Sequence, residues 1–191
     1  ADVDTILIEE WYAFIETASK KKIRLEMDME EHYPKLVCDK ERISQTLSIL
    51  IDNALSYSPA GTVIQLGARV EKKGIVFSVI DHGPGIPDSE KEKVFDRFYC
   101  GDPSRTDKNH YGLGLSIAQE IVKAHQGTIR LVDTLGGGAT FEMEIPLPSS
   151  PSCCPAKVYP FPLVGEFPNP PAECRRTSDR TPQNLWWLRC A

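Results

Sequence analysis

Asp81-His82-Gly83-Pro84-Gly85-Ile86-Pro87 ends an apolar run with a carboxylate and sets glycines two and four residues beyond it. A carboxylate partly withdrawn from water needs hydrogen-bond donors to offset its lost hydration. Glycines beside it let the backbone approach a flat ligand closely and adopt positive φ. An adenine amino group is one donor of the right kind, although the same spacing also describes a plain strand-to-loop turn with a solvated aspartate. A second candidate, Gly112-Leu113-Gly114-Leu115-Ser116, ends a polar stretch and opens the helical run Ile117-Ala118-Gln119-Glu120-Ile121-Val122. Exposed amides and the positive end of a helix dipole make a phosphate site there; the alternative is a tight loop-to-helix turn. The sequence is neither a P-loop nor a Rossmann fingerprint. The third candidate is Asn53, beside Ala54 on a helix whose other face is apolar. Its side-chain oxygen suits Mg²⁺, a hard cation that keeps waters and substrate phosphates, or it bonds its own backbone near the helix end.

The elements that must hold these residues follow from periodicity. Leu7, Trp11, Phe14 and Ala18 fall at helical spacing, and Ile23, Leu25, Met27 and Met29 then alternate as in a half-buried strand. Asp39 is a suitable N-cap for a helix with Ile43, Leu47, Leu50 and Ala54 on one face, ending near Ser58-Pro59-Ala60-Gly61. Strands over 62–70 and 75–81 form a hairpin across Glu71-Lys72-Lys73-Gly74. A short helix is predicted near 88–97, a polar and mobile stretch over 100–111, and a helix over 113–126 stopped by Gly127. Strands near 128–133 and 139–146 flank Gly136-Gly137-Gly138 as a closing hairpin. The expected fold is α+β: a two-layer α/β sandwich, with three helices on one face of a mixed, mainly antiparallel sheet of about five strands.

Composition bounds the reading. The chain has 191 residues, 41% of them hydrophobic and 26% charged, and no apolar run approaches a membrane span. Residues 148–191 hold 9 of the 15 prolines and 4 of the 6 cysteines. No apolar period survives there, so we read 1–147 as the folded domain and 148–191 as a Pro/Cys-rich tail, disordered or non-native. With the tail's five cations and three acids set aside, the first 147 residues carry a net charge of −7, against −5 for the whole chain. That balance argues against a nucleic-acid partner. The acidic start lacks the order of a secretory signal, and the cysteine spacing lacks a metal motif, so all six thiols are expected to be free in an intracellular chain.

In this order the segments resemble the ATP-binding catalytic domain of sensor histidine kinases, in the superfamily that also holds type II topoisomerase, mismatch-repair and chaperone ATPases. The resemblance covers residues 2–147. It rests on Asn53 for the N box, on Asp81, Gly83 and Gly85 for the first glycine box, on Val94-Phe95-Asp96-Arg97-Phe98-Tyr99 for the F box, and on Gly112-Leu113-Gly114-Leu115 for the second glycine box. The F box and the run from Gly114 to His125 are similar to the kinase branch more than to the ATPase branches.

The resemblance implies ATP and Mg²⁺ as cofactors, with Asn53 as the magnesium ligand and Asp81 as the adenine-reading carboxylate. Gly83, Gly85 and Ile86 become the pocket edge, Thr140 a support of the adenine site, and Tyr57, Leu113 and Leu115 further nucleotide-binding positions. Residues 99–111 become a lid over the phosphates, hinged at Gly112 and Gly114, with Lys108 or Arg105 as charge partners. Departures from the family pattern stand at Ile49, Ser56, Cys100 and His110, where a second Asn, a Lys, an Arg and a Gly are usual. No phosphoacceptor role is expected for His32, His82, His110 or His125. The histidine is therefore expected on a dimerization domain of a parent kinase, with a response regulator downstream, the chain itself cytoplasmic without direct membrane contact, and the parent attached to the inner membrane. Two rivals remain: a nucleotide-binding module without kinase activity, and an ATP-hydrolysing conformational switch. The switch would need a carboxylate one turn before Asn53, where Ile49 stands.

Overall fold

The computed structural model describes residues 1–99 and 112–147. The expectations for 100–111, including Arg105, Lys108, Cys100 and His110, and for the tail 148–191 lie outside the described residues.

Helix α1 spans Val3–Lys20; of the predicted stripe Leu7 and Ala18 are buried and Trp11 and Phe14 are half-buried against the core, while Val3 and Ile6 are buried as well. Lys22 takes positive φ and turns the chain into strand β1, Arg24–Asp28. Residues 29–39 then lead into α2, Lys40–Tyr57, whose N-cap Asp39 accepts a hydrogen bond from the Arg42 amide at 3.2 Å. This satisfies one of the helix's orphan donors and fixes its start. His32 thus sits in a strand-to-helix connection and is exposed. Strands β2 (Val63–Val70) and β3 (Gly74–Ile80) form the expected hairpin, closed by the paired amides and carbonyls of Glu71 and Gly74. After a loop, helix α3 covers Gly114–Ala124, and β4 (Thr128–Asp133) and β5 (Ala139–Pro146) close the sheet.

The strand order is β1-β2-β3-β5-β4. β1 runs parallel to β2, as the β1–α2–β2 crossover requires, and the other pairs are antiparallel. The central β3, flanked by β2 and β5, is almost wholly buried. Its Phe77 and Val79 join Leu47, Leu50, Ile51 and Leu55 of α2 and Phe141, Met143 and Ile145 of β5 in one core. The two-layer α+β sandwich predicted from the sequence is the observed fold.

Two local readings change. The helix expected near 88–97 is a series of turns with a short 3₁₀ segment at Lys93–Phe95. Phe95 anchors it, packed edge-to-face on Phe141 of β5 with ring centroids 6.4 Å apart. At the end of α3 the left-handed residue is Gln126, not Gly127. His125 caps the junction instead: its Nδ1 lies 2.8 Å from the Ile121 carbonyl, and its Nε2 accepts from the Asp39 amide at 3.1 Å. The last turn of α3 is thereby tied to the start of α2.

Glu10, only 7% exposed, lies between α1 and α2. Ser48 donates to its Oε2 at 2.7 Å. Burial pushes this carboxyl above the usual range, and hydrogen bonds from Ser48 and Ser44 only partly oppose that. The fold therefore favours the protonated form. Glu10's contribution to stability is fully present below its unfolded pKa and is lost as pH rises through the raised folded value. Glu10→Gln, which keeps an acceptor for Ser48, is predicted to raise Tm at pH 7 by about 2–5 °C, with the gap closing below about pH 4. Thermal melts across pH check this, and a parent more stable than the variant at pH 7 would contradict it.

Candidate functional site

Asp81 follows β3 directly, and its amide still pairs with the Ala139 carbonyl at 2.9 Å. The residue is 4% exposed. Its Oδ1 accepts from the Gly83 amide at 2.8 Å and from the Ala139 amide at 3.1 Å. Among the described residues none donates to Oδ2. Two backbone amides therefore fix the carboxylate's direction and leave one oxygen for an incoming donor. Desolvation pushes the carboxyl above the ordinary aspartate range, opposed by the two amide bonds and by nearby His82.

The turn between β4 and β5 forms the wall beside this carboxylate. Gly138 has φ +113°, and a Cβ on it would overlap the Asp81 carbonyl oxygen. His82 Nδ1 lies 3.3 Å from the Gly137 carbonyl oxygen. Gly85, with φ +74°, faces the Gly138 carbonyl. Thr140, paired with Ile80 across the strands, is buried, with its Oγ1 2.8 Å from Thr134 Oγ1. Ile86 packs on the core from the loop. The structure thus brings Asp81, Gly83, Gly85, Ile86 and Thr140 together.

Helix α2 connects this cluster to the second glycine segment. A Cβ on Gly83 would stand 3.1 Å from the Tyr57 carbonyl oxygen, at the C-terminal end of α2. A Cβ on Gly114 would stand 3.2 Å from Ile49 Cγ2, two turns earlier. Asn53 lies between them, at i+4 from Ile49 and i−4 from Tyr57, on one stripe of the helix. It is half-buried, and Tyr57 is exposed. Gly112, Leu113 and Leu115 flank the start of α3. Gly112 has φ +67°, and its carbonyl accepts from Phe98 of the F box at 2.9 Å. Among the described residues no side chain caps the first turn of α3, and Ser116 Oγ donates to the Leu113 carbonyl. The first amides of such a turn are the ones that can meet an anion.

The metal expectation is tested by the donor set. Among the described residues no group of three His, Cys, Asp or Glu side chains can hold a metal ion. A single half-buried amide oxygen between two glycine segments suits Mg²⁺, which takes few protein ligands when phosphates and water supply the rest. It does not suit a cation that needs a protein cage.

A cavity of about 470 Å³ lies beside α3, lined by Arg97, Phe98, Leu113, Ser116, Ile117, Glu120 and Ile121. Of the candidate residues only Leu113 reaches it. Sequence reasoning missed the part of Gly138 and Ala139 in seating Asp81. The available signal, Gly136-Gly137-Gly138, reads as a hairpin turn when the strand register is unknown.

A two-layer sandwich with a buried carboxylate at the end of its central strand and two glycine segments packed against one helix is the arrangement expected of a nucleotide-binding ATPase-type domain. Residues 38–149 match the family described as histidine kinase-, DNA gyrase B-, and HSP90-like ATPase, and the chain belongs to it. The adaptive-response sensory kinase SasA of Nostoc sp. is 37% identical over 128 residues, which cover 66% of this chain and 32% of SasA. This chain thus spans about a third of that relative's length. The catalytic domain of histidine kinase ThkA superposes with a TM-score of 0.69 at 28% identity, covering 77% of this chain and 93% of that domain. ThkA in complex with the response regulator protein TrrA superposes with a TM-score of 0.66 at 26% identity, covering 78% of this chain and 41% of that one.

The wall beside Asp81 makes a contrast testable. Gly138→Ala must displace the Asp81 carbonyl, whereas Gly136→Ala, at φ +91° with nothing within 4 Å, meets only backbone strain. We predict losses of about 3–5 kcal/mol and about 1–2 kcal/mol respectively, read by denaturant unfolding. Equal losses would mean that the close approach at Asp81 is unimportant.

Proposed function

We propose that residues 1–147 are the ATP-binding catalytic domain of a sensor histidine kinase, which donates the γ-phosphoryl group of ATP to a histidine on a dimerization domain of the parent protein. The observation that carries this reading is the buried Asp81 carboxylate, whose Oδ1 is held by two backbone amides and whose Oδ2 receives no donor among the described residues. A buried acceptor fixed in this way selects a ligand with a matching donor, and the adenine amino group is that donor. The kinase branch is supported by the F box and by the likeness to SasA and ThkA.

In this mechanism Asp81 Oδ2 accepts the adenine amino hydrogen, with Gly83, Gly85 and Ile86 along the base and Thr140 behind it. Tyr57, Leu113 and Leu115 line the nucleotide. The open amides at the start of α3, from Gly112 and Gly114 onward, face the phosphates, and Lys108 in 100–111 supplies a cation to them. Asn53 would hold Mg²⁺ through its amide oxygen, and the bound ion would supply positive charge against the phosphates. The remaining work is alignment. The imidazole nitrogen of the partner histidine must stand in line with the bond to the leaving ADP. Ile49 packs against Gly114 where a hydrolytic carboxylate would be needed, which favours transfer over the ATP-hydrolysing switch.

The domain would act on the cytoplasmic side of a parent kinase attached to the inner membrane and would signal to a response regulator. Among the described residues no helix is long and apolar enough to cross a membrane.

The test supplies a separate histidine-bearing dimerization domain together with γ-labelled Mg-ATP. Acid-labile phosphohistidine should form, and Asn53→Ala should cut its rate by about a hundredfold or more while leaving metal-free ADP affinity within about threefold of the parent. Binding of ATP without transfer to any supplied histidine domain would favour the non-kinase nucleotide module.

A further inference from the structure

Lys91 lies on the 82–91 segment that begins at Asp81, in none of the motifs discussed above. Its Nζ is 2.6 Å from Asp88 Oδ1 and 2.7 Å from Asp133 Oδ2. Its side chain is only 18% exposed, whereas the two partner carboxylates are 91% and 68% exposed. Lysine ammonium groups ordinarily reach for water with their stems along the surface. Here the stem is covered and the head is held by two acids, which raise its pKa through hydrogen bonds and charge.

The position of the second acid gives the pair its meaning. Asp133 is the last residue of β4. The turn that follows is closed by the Thr134 amide on the Gly138 carbonyl at 3.2 Å and the Gly137 amide on the Thr134 carbonyl at 3.0 Å. At the far end of this turn, Gly138 abuts the Asp81 carbonyl and the Ala139 amide holds Asp81 Oδ1. The 82–91 segment and the 133–139 turn are thus joined at Asp81 by hydrogen bonds and at Lys91 by an ion pair. Between those two joints lie Gly83, Gly85 and Ile86.

We infer that Lys91 is a positioning residue. By pairing with Asp133 it pins the free end of the 82–91 segment to the foot of the 134–138 turn, and so fixes the width of the pocket beside Asp81. An ion pair with exposed partners adds little to global stability. Its effect falls instead on the segment that it closes, where a small displacement changes how Asp81 and the pocket edge meet a bound base. The inference rests on the nucleotide reading of the site.

The experiment is calorimetric titration of the chain with ADP for the parent, Lys91→Met, Asp133→Asn, the double variant and Lys91→Arg, with Asp81→Asn as the control for the site. Lys91→Met and Asp133→Asn should each weaken ADP binding about three- to tenfold, the double variant should lose no more than either, and Lys91→Arg should stay within about twofold of the parent. Tm should move little. Three outcomes overturn the inference: unchanged affinity in Lys91→Met; losses that simply add in the double variant; or a loss in Lys91→Met without one in Asp133→Asn, which would make Lys91 a direct ligand contact. If the parent binds no ADP, the nucleotide reading fails. The tie is then judged by hydrogen exchange without ligand: faster exchange at the Gly137 and Ala139 amides in Lys91→Met supports it, and unchanged exchange refutes it.

Discussion

A carboxylate buried as deeply as Asp81 must find donors inside the protein, and it finds two in the amides of Gly83 and Ala139. Much of the surrounding architecture follows from that need. The Ala139 amide is in reach only because β5 lies beside β3 in antiparallel register, with Ile80 opposite Thr140. The turn leading into β5 must pass close to the Asp81 backbone, and only a glycine at 138 has room to do so. The Gly83 amide is in reach because the chain turns immediately after the strand, against the last turn of α2. The desolvation that raises the pKa of Asp81 would, under the proposed function, also make its second oxygen selective for one ligand donor.

Helix α2 is the second organising element. It fills the core with Ile43, Leu47, Leu50, Ile51, Ala54 and Leu55. Its Ile49–Asn53–Tyr57 stripe spans the distance between the two glycine segments. Under the proposed function, packing and ligand binding would share one rigid element, which would suit a site that aligns a phosphoryl group instead of supplying covalent chemistry. The His125 contacts join the end of α3 to the start of α2 and so hold α3 at its C-terminal end.

The helices and strands were legible because their signals are local. The apolar stripe from Ile43 to Ala54 with Asp39 before it marks α2, and strict alternation marks β1 and β5. Asp81, Gly83 and Gly85 were legible as a set through their fixed spacing. The rest depends on pairings between distant residues. Gly138 looks like any turn glycine until the strand register places it on Asp81. Glu10 looks like a solvated helix charge until α2 supplies Ser48. Lys91 sits 42 residues from Asp133, so its pairing is invisible along the chain. The region near 88–97 looks helical in composition, yet Phe95 anchored on Phe141 and Lys91 held by two acids draw it into turns.

The central claim is that the open oxygen of Asp81 selects a base bearing an amino donor. Calorimetric titration with ADP and with inosine diphosphate, which presents a carbonyl acceptor where adenine has its amino group, tests it most directly. The parent should bind ADP at least about tenfold more tightly, the scale of a hydrogen bond to a charged acceptor, and Asp81→Asn should lose that preference. Equal affinity of the parent for the two diphosphates would contradict the account.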